Sequence, residues 1–287
     1  MNLHTAHEAD LWPLLQESPI GDQLVAGSSL LELQLQQAAG VEQAHLPENA
    51  WVCQTDWLKL MEQTASAVLE SADGDILAWT GDELPGDQAP RVQASADSFL
   101  IRYPWEFLRL NEQLVSALGE ERSQGKISPA AHIDGVIHLG EGSTILPGVV
   151  IEGNVMIGKD CKVGPNCYLR GSTTIGNNCH IGQAVEIKNS IIGHKTSIGH
   201  LSYVGDSVIG NEVNFGAGTI TSNLRHDGTT HLSRVSQGLI DTGRRKFGTI
   251  VGDGTHTGIL TAIYPGRKLG PHSQTRPNES VERDLTN

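Results

Sequence analysis

From Ile133 onward an apolar residue, mostly Ile, Val or Leu, returns every six positions through Leu139, Ile145, Ile151, Ile157, Val163, Leu169, Ile175 and Ile181 to Ile187. Six matches neither the 3.6-residue period of a helix nor the alternation of a half-buried strand. It matches a triangular parallel β-helix, in which each six-residue unit is a short strand and a corner, and three units, about 18 residues, close one coil. The apolar residue and the residue four further on then point inward. That fourth position is Ser143, Val149, Val155, Cys161, Cys167, Thr173, Cys179 and Val185, all small or β-branched, as a narrow axial stack requires.

Two shortened intervals, Ile187 to Ile192 and Val204 to Ile209, are followed by continuation through Phe215 and Thr221. The repeat pauses over residues 223–246 and resumes as Val251, Thr257, Ile263 and Leu269. The fold expected for residues 126–287 is therefore a parallel β-helix, left-handed because that is the hand hexapeptide-repeat families adopt. The pause, SNLRHDGTTHLSRVSQGLIDTGRRK, reads as a structureless loop projecting from one edge of the prism, a place where function often sits.

Composition divides the chain at the same place. Residues 1–124 hold 7 of the 33 glycines, and 5 Lys/Arg against 20 Asp/Glu, a net charge of −15. The rest carries 26 glycines and a net charge of +2. An acidic front and no basic face argue against nucleic acid as partner, since such binding rests on clustered Lys and Arg. The opening MNLHTAHEADLW has no basic stretch followed by an apolar run, and no apolar stretch approaches a membrane span, so a cytoplasmic protein without membrane contact is expected. Residues 1–97 read as a small acidic α/β domain: SLLELQLQQAAGV as a helix with a Gly stop, AVLESADGDILAWTGDEL as a hairpin turning at Asp73-Gly74. Residues 98–125, with Leu108, Leu110, Leu114 and Leu118 at helical spacing, read as a helical arm entering the prism.

Coils stack about 4.8 Å apart, so residues separated by 18 in an unbroken run lie one above the other. Arg170 and Lys188 are separated by 18. With no acidic partner evident in the repeat, two stacked cations invite an anion, and a phosphate suits an Arg fork beside a Lys point charge. A solvated basic corner is the plain alternative. His138, His180 and His194 read as corner decoration. His194 and His200 fall on different faces, so no metal site is expected. The inward cysteines read as core filler.

The segments GHLSYVGDS and VNFGAGTITSN, 199–207 and 213–223, resemble the acetyltransferase half of the bifunctional N-acetylglucosamine-1-phosphate uridyltransferase/glucosamine-1-phosphate acetyltransferases. With NLRHDG, GRRKFGTIVGD and TGILTAIYPGRKLG the chain is closer still to the archaeal bifunctional sugar-1-phosphate nucleotidylyltransferase/acetyltransferases, over roughly residues 98–275. The resemblance implies transfer of acetyl from acetyl-CoA to the amine of a hexosamine 1-phosphate, at sites between the subunits of a homotrimer. Carried over residue by residue, His200 matches the catalytic base, and Arg170 and Lys188 match the residues that hold the sugar phosphate. Tyr203, Asn214 and Asn223 match sugar contacts. Ala217 matches a position whose backbone meets the thioester end of the cofactor. Arg245 and Lys246, the latter matching a phosphate-binding lysine after the excursion, are taken with it as cofactor contacts. The chemistry is coherent, because a protonated amine cannot attack a thioester until a base removes its proton, a task suited to imidazole.

The family's lysines after the NLRHD-like motif are replaced here by Thr229, His231 and Arg234. Residues 1–97 are too short for the nucleotidyltransferase domain and contain no Gly-rich loop followed by basic residues. They read as its abridged remnant, without nucleotidyltransferase activity, and a separate nucleotidyltransferase partner would then supply that step. From a different class, the same features fit a non-catalytic hexapeptide scaffold, a sugar-phosphate-binding regulatory trimer.

Overall fold

The computed structural model describes residues 1–5, 9–14, 18–63 and 65–286. By mutual contact the chain forms two units: Met1–Asp10, Glu17–Gln23 and Ser28–Tyr103 in one, Leu11–Gln16, Leu24–Gly27 and Pro104–Asn287 in the other. Among the described residues, 11–14 and 24–27 thus belong with the solenoid, which no pattern in the sequence indicates.

The first unit is a five-stranded sheet in the order Asn2–His4, Ala44–Pro47, Ile76–Thr80, Val68–Glu70, Arg91–Gln93. Helix α1 spans Leu30–Gln37 and starts at a capping box, Ser29 accepting from the Glu32 N–H while the Glu32 carboxylate accepts from the Ser29 N–H. The hairpin forms as its sequence suggests, Val68–Glu70 antiparallel to Ile76–Thr80 with Gly74 at a φ of +84°. Leu46, Trp57, Leu60, Leu69 and Leu77 form the core.

Helix α2, Gln54–Met61, carries a fully buried carboxylate, Asp56. Burial alone would push its pKa up, but hydrogen bonds from Lys59, Ser95 and Ser98 outweigh that and bring it to about 2. Since the folded value lies below the ordinary 3.8, the stabilisation is complete above about pH 4 and is lost as the pH falls through about 2. Thermal melts of the parent and of Asp56→Asn should therefore differ most near neutral pH and converge toward pH 2. A difference that stays constant over that range would refute this role.

The second unit opens with residues 11–14 and 24–27 and helix α3, Glu106–Ser116, which lies inside the segment 98–125. The fully buried Asn111 docks α3, its Oδ1 accepting from Thr174 Oγ1 at 2.6 Å and from the Ala26 N–H at 3.0 Å, its Nδ2 donating to the Ser172 carbonyl at 2.8 Å. The solenoid follows as three parallel sheets of eight, six and eight strands, the three faces of a prism. Register is 18 residues per coil where the repeat is unbroken, as in Ile151 beside Leu169 beside Ile187. It drops to 17 after the shortened interval, placing Val204 beside Ile187.

Every inward position read from the sequence is buried, from Ser143 through Val185, and Val149, Val155, Cys161, Cys167, Cys179 and Val185 join the Ile, Leu and Val residues of the period in one continuous apolar column. Coils approach closely enough that a Cβ on Gly182 would lie 1.8 Å from the Gly199 carbonyl oxygen, so only glycine fits there. The Cys167 thiol is pushed up to about 12 by burial, and all four cysteines are free, in keeping with core packing. Among the described residues no helix is long and apolar enough to cross a membrane.

Candidate active site

The third face carries the charged ladder. Arg170 lies in register with Lys188, as the 18-residue step requires, and Lys188 with Gly205. The expectation that these cations lack acidic partners is overturned. Arg170 pairs with Glu186, Nη2 to Oε1 at 2.7 Å, and Lys188 Nζ meets both oxygens of Asp206 at 2.9 and 2.8 Å. The reason is geometric. Glu186 faces outward beside Lys188 on the same strand, and Asp206, at the next corner, has a φ of +50° that turns its carboxylate back over the face. The Lys188 and Asp206 side chains are 16% and 3% exposed, so this pair is largely removed from water, whereas Arg170 is 37% exposed. An incoming phosphate would therefore meet two oriented cations with balanced charge rather than an unpaired positive corner.

Gly205 ends the charged column and makes room for two predicted sugar contacts. A Cβ there would lie 2.4 Å from Tyr203 Oη and 2.8 Å from Asn223 Nδ2. In that space Asn223 Nδ2 donates to Tyr203 Oη at 3.0 Å and to Asp206 Oδ2 at 2.5 Å. Burial, with the nearby carboxylates of Asp206 and Glu186, raises the Tyr203 pKa, so the phenol stays a neutral donor. Arg170, Lys188, Tyr203 and Asn223 thus form one cluster, joined through Asp206 and Glu186, neither of which the sequence reasoning singled out.

His200 ends the strand Ser197–His200 on the second face, at the corner leading to Tyr203, and its side chain is exposed. Its carbonyl accepts from the Gly218 N–H at 3.1 Å, which places Ala217 on the coil directly above. Asn214 sits on the second face beside Ser197, exposed, three residues before Ala217. Arg245 and Lys246 are exposed where the excursion rejoins the prism. The structure therefore gathers Lys188, Asn223 and, through Asn223, Tyr203 around Asp206, with the Arg170–Glu186 pair beside them, sets His200 and Ala217 on adjacent coils at the neighbouring corner, and leaves Asn214, Arg245 and Lys246 outside this cluster.

The excursion is not structureless, contrary to expectation. It contains an antiparallel hairpin, Leu232–Val235 with Gly238–Asp241, and is closed at its base by pairing of Leu224 with Lys246. It is also held from far away in sequence. The fully buried Lys268 donates from Nζ to the Arg234 carbonyl at 2.8 Å, with the rings of Trp12 and Trp105 each 5.7 Å away. Beneath the hairpin the buried His231 packs edge-on against Phe247, and burial lowers its pKa. A cleft of about 570 Å³ opens beside the base, lined by Ser222, Leu224, Arg225, His226, Asp227, Tyr264 and Pro265. Among the described residues no three His, Cys, Asp or Glu side chains gather as they would around a metal ion.

Residues 151–258 match the family described as GMPPB C-terminal domain. Over 185 residues the chain is 40% identical to the bifunctional sugar-1-phosphate nucleotidylyltransferase/acetyltransferase of Sulfurisphaera tokodaii, covering 64% of this chain and 46% of that protein. Over 185 residues it is 50% identical to the bifunctional protein GlmU of Methanococcus maripaludis strain C7, covering 64% and 44%. The chain spans about half the length of the curated relatives it matches. Its solenoid is a left-handed parallel β-helix of hexapeptide repeats, similar to the acetyltransferase half of this bifunctional family.

Proposed function

We propose that this chain transfers acetyl from acetyl-CoA to the amine of glucosamine 1-phosphate, or a closely related amino-sugar phosphate, in the synthesis of a nucleotide sugar of the UDP-N-acetylglucosamine type. The observation that carries this is the registered pair of Arg170 and Lys188 on the same face as the Tyr203–Asn223 pair, one corner away from His200. Arg170 and Lys188 hold the phosphate, the first as a fork and the second as a point charge, while Tyr203 and Asn223 orient the sugar ring. The His200 imidazole takes a proton from the acceptor's ammonium group, and the freed amine attacks the thioester carbonyl. The Ala217 backbone N–H stabilises the oxyanion of the tetrahedral intermediate; on collapse the extra proton on the former amine nitrogen passes to the departing coenzyme thiolate, leaving the neutral amide and the free thiol, and the proton held by His200 is released to solvent.

The enzyme works as a homotrimer in the cytoplasm. In support of assembly, Leu201, Ile220, Ile259 and Leu260 are exposed apolar side chains around the His200 corner, a surface that neighbouring subunits would cover. Asn214, Arg245 and Lys246, outside the cluster of a single chain, would complete the acceptor and cofactor sites there. Residues 1–97 are a small acidic α/β domain without nucleotidyltransferase activity, and a separate nucleotidyltransferase would consume the product. The test is product identity: NMR of a reaction with acetyl-CoA and glucosamine 1-phosphate, run beside galactosamine 1-phosphate, should reveal the N-acetylated sugar phosphate. Acetyl found on oxygen, or on neither sugar, would overturn the assignment.

A further inference from the structure

No motif around His200 points to helix α3, yet α3 reaches the acceptor site through one side chain. Glu112 follows the buried Asn111 that docks the helix, so its position is set by that anchor. Its carboxylate accepts from Asn189 Nδ2 at 2.6 Å and from Arg244, Nη1 to Oε2 at 3.2 Å and Nη2 to Oε1. Asn189 immediately follows Lys188, and its left-handed φ of +47° turns its amide so that the same Nδ2 also reaches Asp206 Oδ1 at 3.0 Å. Asp206 in turn holds Lys188 and Asn223.

A continuous chain of contacts therefore runs Arg244, Glu112, Asn189, Asp206, and from there to Lys188 and Asn223. Both ends of the excursion join it, Asn223 at the start and Arg244 near the close. The Arg244 and Glu112 side chains are 17% and 34% exposed, so solvent screens their attraction. Their value is geometric, a two-pronged contact that fixes the closing strand relative to the prism.

We propose that Glu112 is a positioning residue for the acceptor site, holding the excursion closed through Arg244 and, through Asn189, fixing the carboxylate that orients Lys188 and Asn223. The proposal rests on the acetyl-transfer function given above and adds to it a residue outside the repeat. Without the Glu112 charge, Arg244 loses its carboxylate and the excursion drifts at its base. A displacement of about 1 Å at Asn223 and Lys188 is enough to weaken recognition severely, while His200 is left in place.

The test uses the full chain as parent, Glu112→Gln, Arg244→Gln and the double variant, Gln being chosen because it keeps the volume of Glu. Amide hydrogen exchange reports the excursion in the free protein, with the coils of residues 126–187 as internal reference, and steady-state kinetics report the acceptor KM. In Glu112→Gln, exchange over residues 224–246 should rise about tenfold with the reference coils unchanged. The acceptor KM should rise about tenfold while kcat changes by less than about threefold, and the double variant should be no worse than the worse single. Glu112→Asp, which keeps the charge, should recover part of the KM. Unchanged exchange, single effects that multiply in the double variant, or a loss confined to kcat would each overturn the proposal. A parent that turns over no amino-sugar phosphate would defeat the acetyl-transfer function instead, and the exchange arm would still decide whether Glu112 holds the excursion.

Discussion

Replacing His200 with alanine should slow acetyl transfer by about 10²- to 10⁴-fold, the range a general base contributes, and leave the solenoid folded. The separation is possible because the two roles of residue 200 use different atoms. Its carbonyl accepts from the Gly218 N–H at 3.1 Å and from Ser202 Oγ at 2.8 Å, bonds an alanine keeps. Its side chain is exposed and outside the apolar column. The melting midpoint should shift by no more than an exposed substitution usually causes, about 0.5 kcal/mol in stability. Full turnover by the alanine variant would remove His200 from the mechanism.

Lys188→Met should act on stability and recognition together. Asp206 is 3% exposed, and without the lysine its charge is left facing the amides of Asn189 and Asn223 alone. Removing one partner of a largely buried pair costs about 3 kcal/mol, more than loss of the lysine's packing would. The acceptor KM should rise about 10- to 100-fold through loss of a charge-assisted contact to phosphate. Adding Asp206→Asn to Lys188→Met should restore most of the stability and none of the acceptor affinity. Denaturant melts and KM for parent, single and double variants check both. A single variant as stable as the parent would mean that the pair contributes nothing to the fold.

The prism was legible because its repeat indexes every residue. Once Ile133 to Ile187 fixed the phase, the inward stack and the superposition of Arg170 on Lys188 followed by counting. Counting does not reach Asp206: the coil there is shortened to 17, so the residue over Lys188 is Gly205, and Asp206 reaches back from the corner. Glu186 was hidden differently. It neighbours Lys188 along the strand but serves Arg170 on the coil below, a diagonal contact that period alone does not reveal.

The excursion had no repeat to index, and its hairpin is met from far away in sequence by Lys268, which donates to the Arg234 carbonyl and lies near the rings of Trp12 and Trp105. In the front unit, local signals sufficed for local structure: the Ser29/Glu32 capping box and the Asp73-Gly74 turn are each decided within a few residues. Residues 24–26 are buried in the second unit, with the Ala26 N–H donating to Asn111 Oδ1, a long-range bond that nothing nearby in the sequence announces.

The central claim is that a phosphate held by Arg170 and Lys188 presents an amine to His200. Thiol release from acetyl-CoA, followed with glucosamine 1-phosphate and with unphosphorylated glucosamine, tests it most directly. Release that requires the phosphate is the predicted result. No release with either acceptor, from protein demonstrated to be folded, or equal release with both, would contradict it.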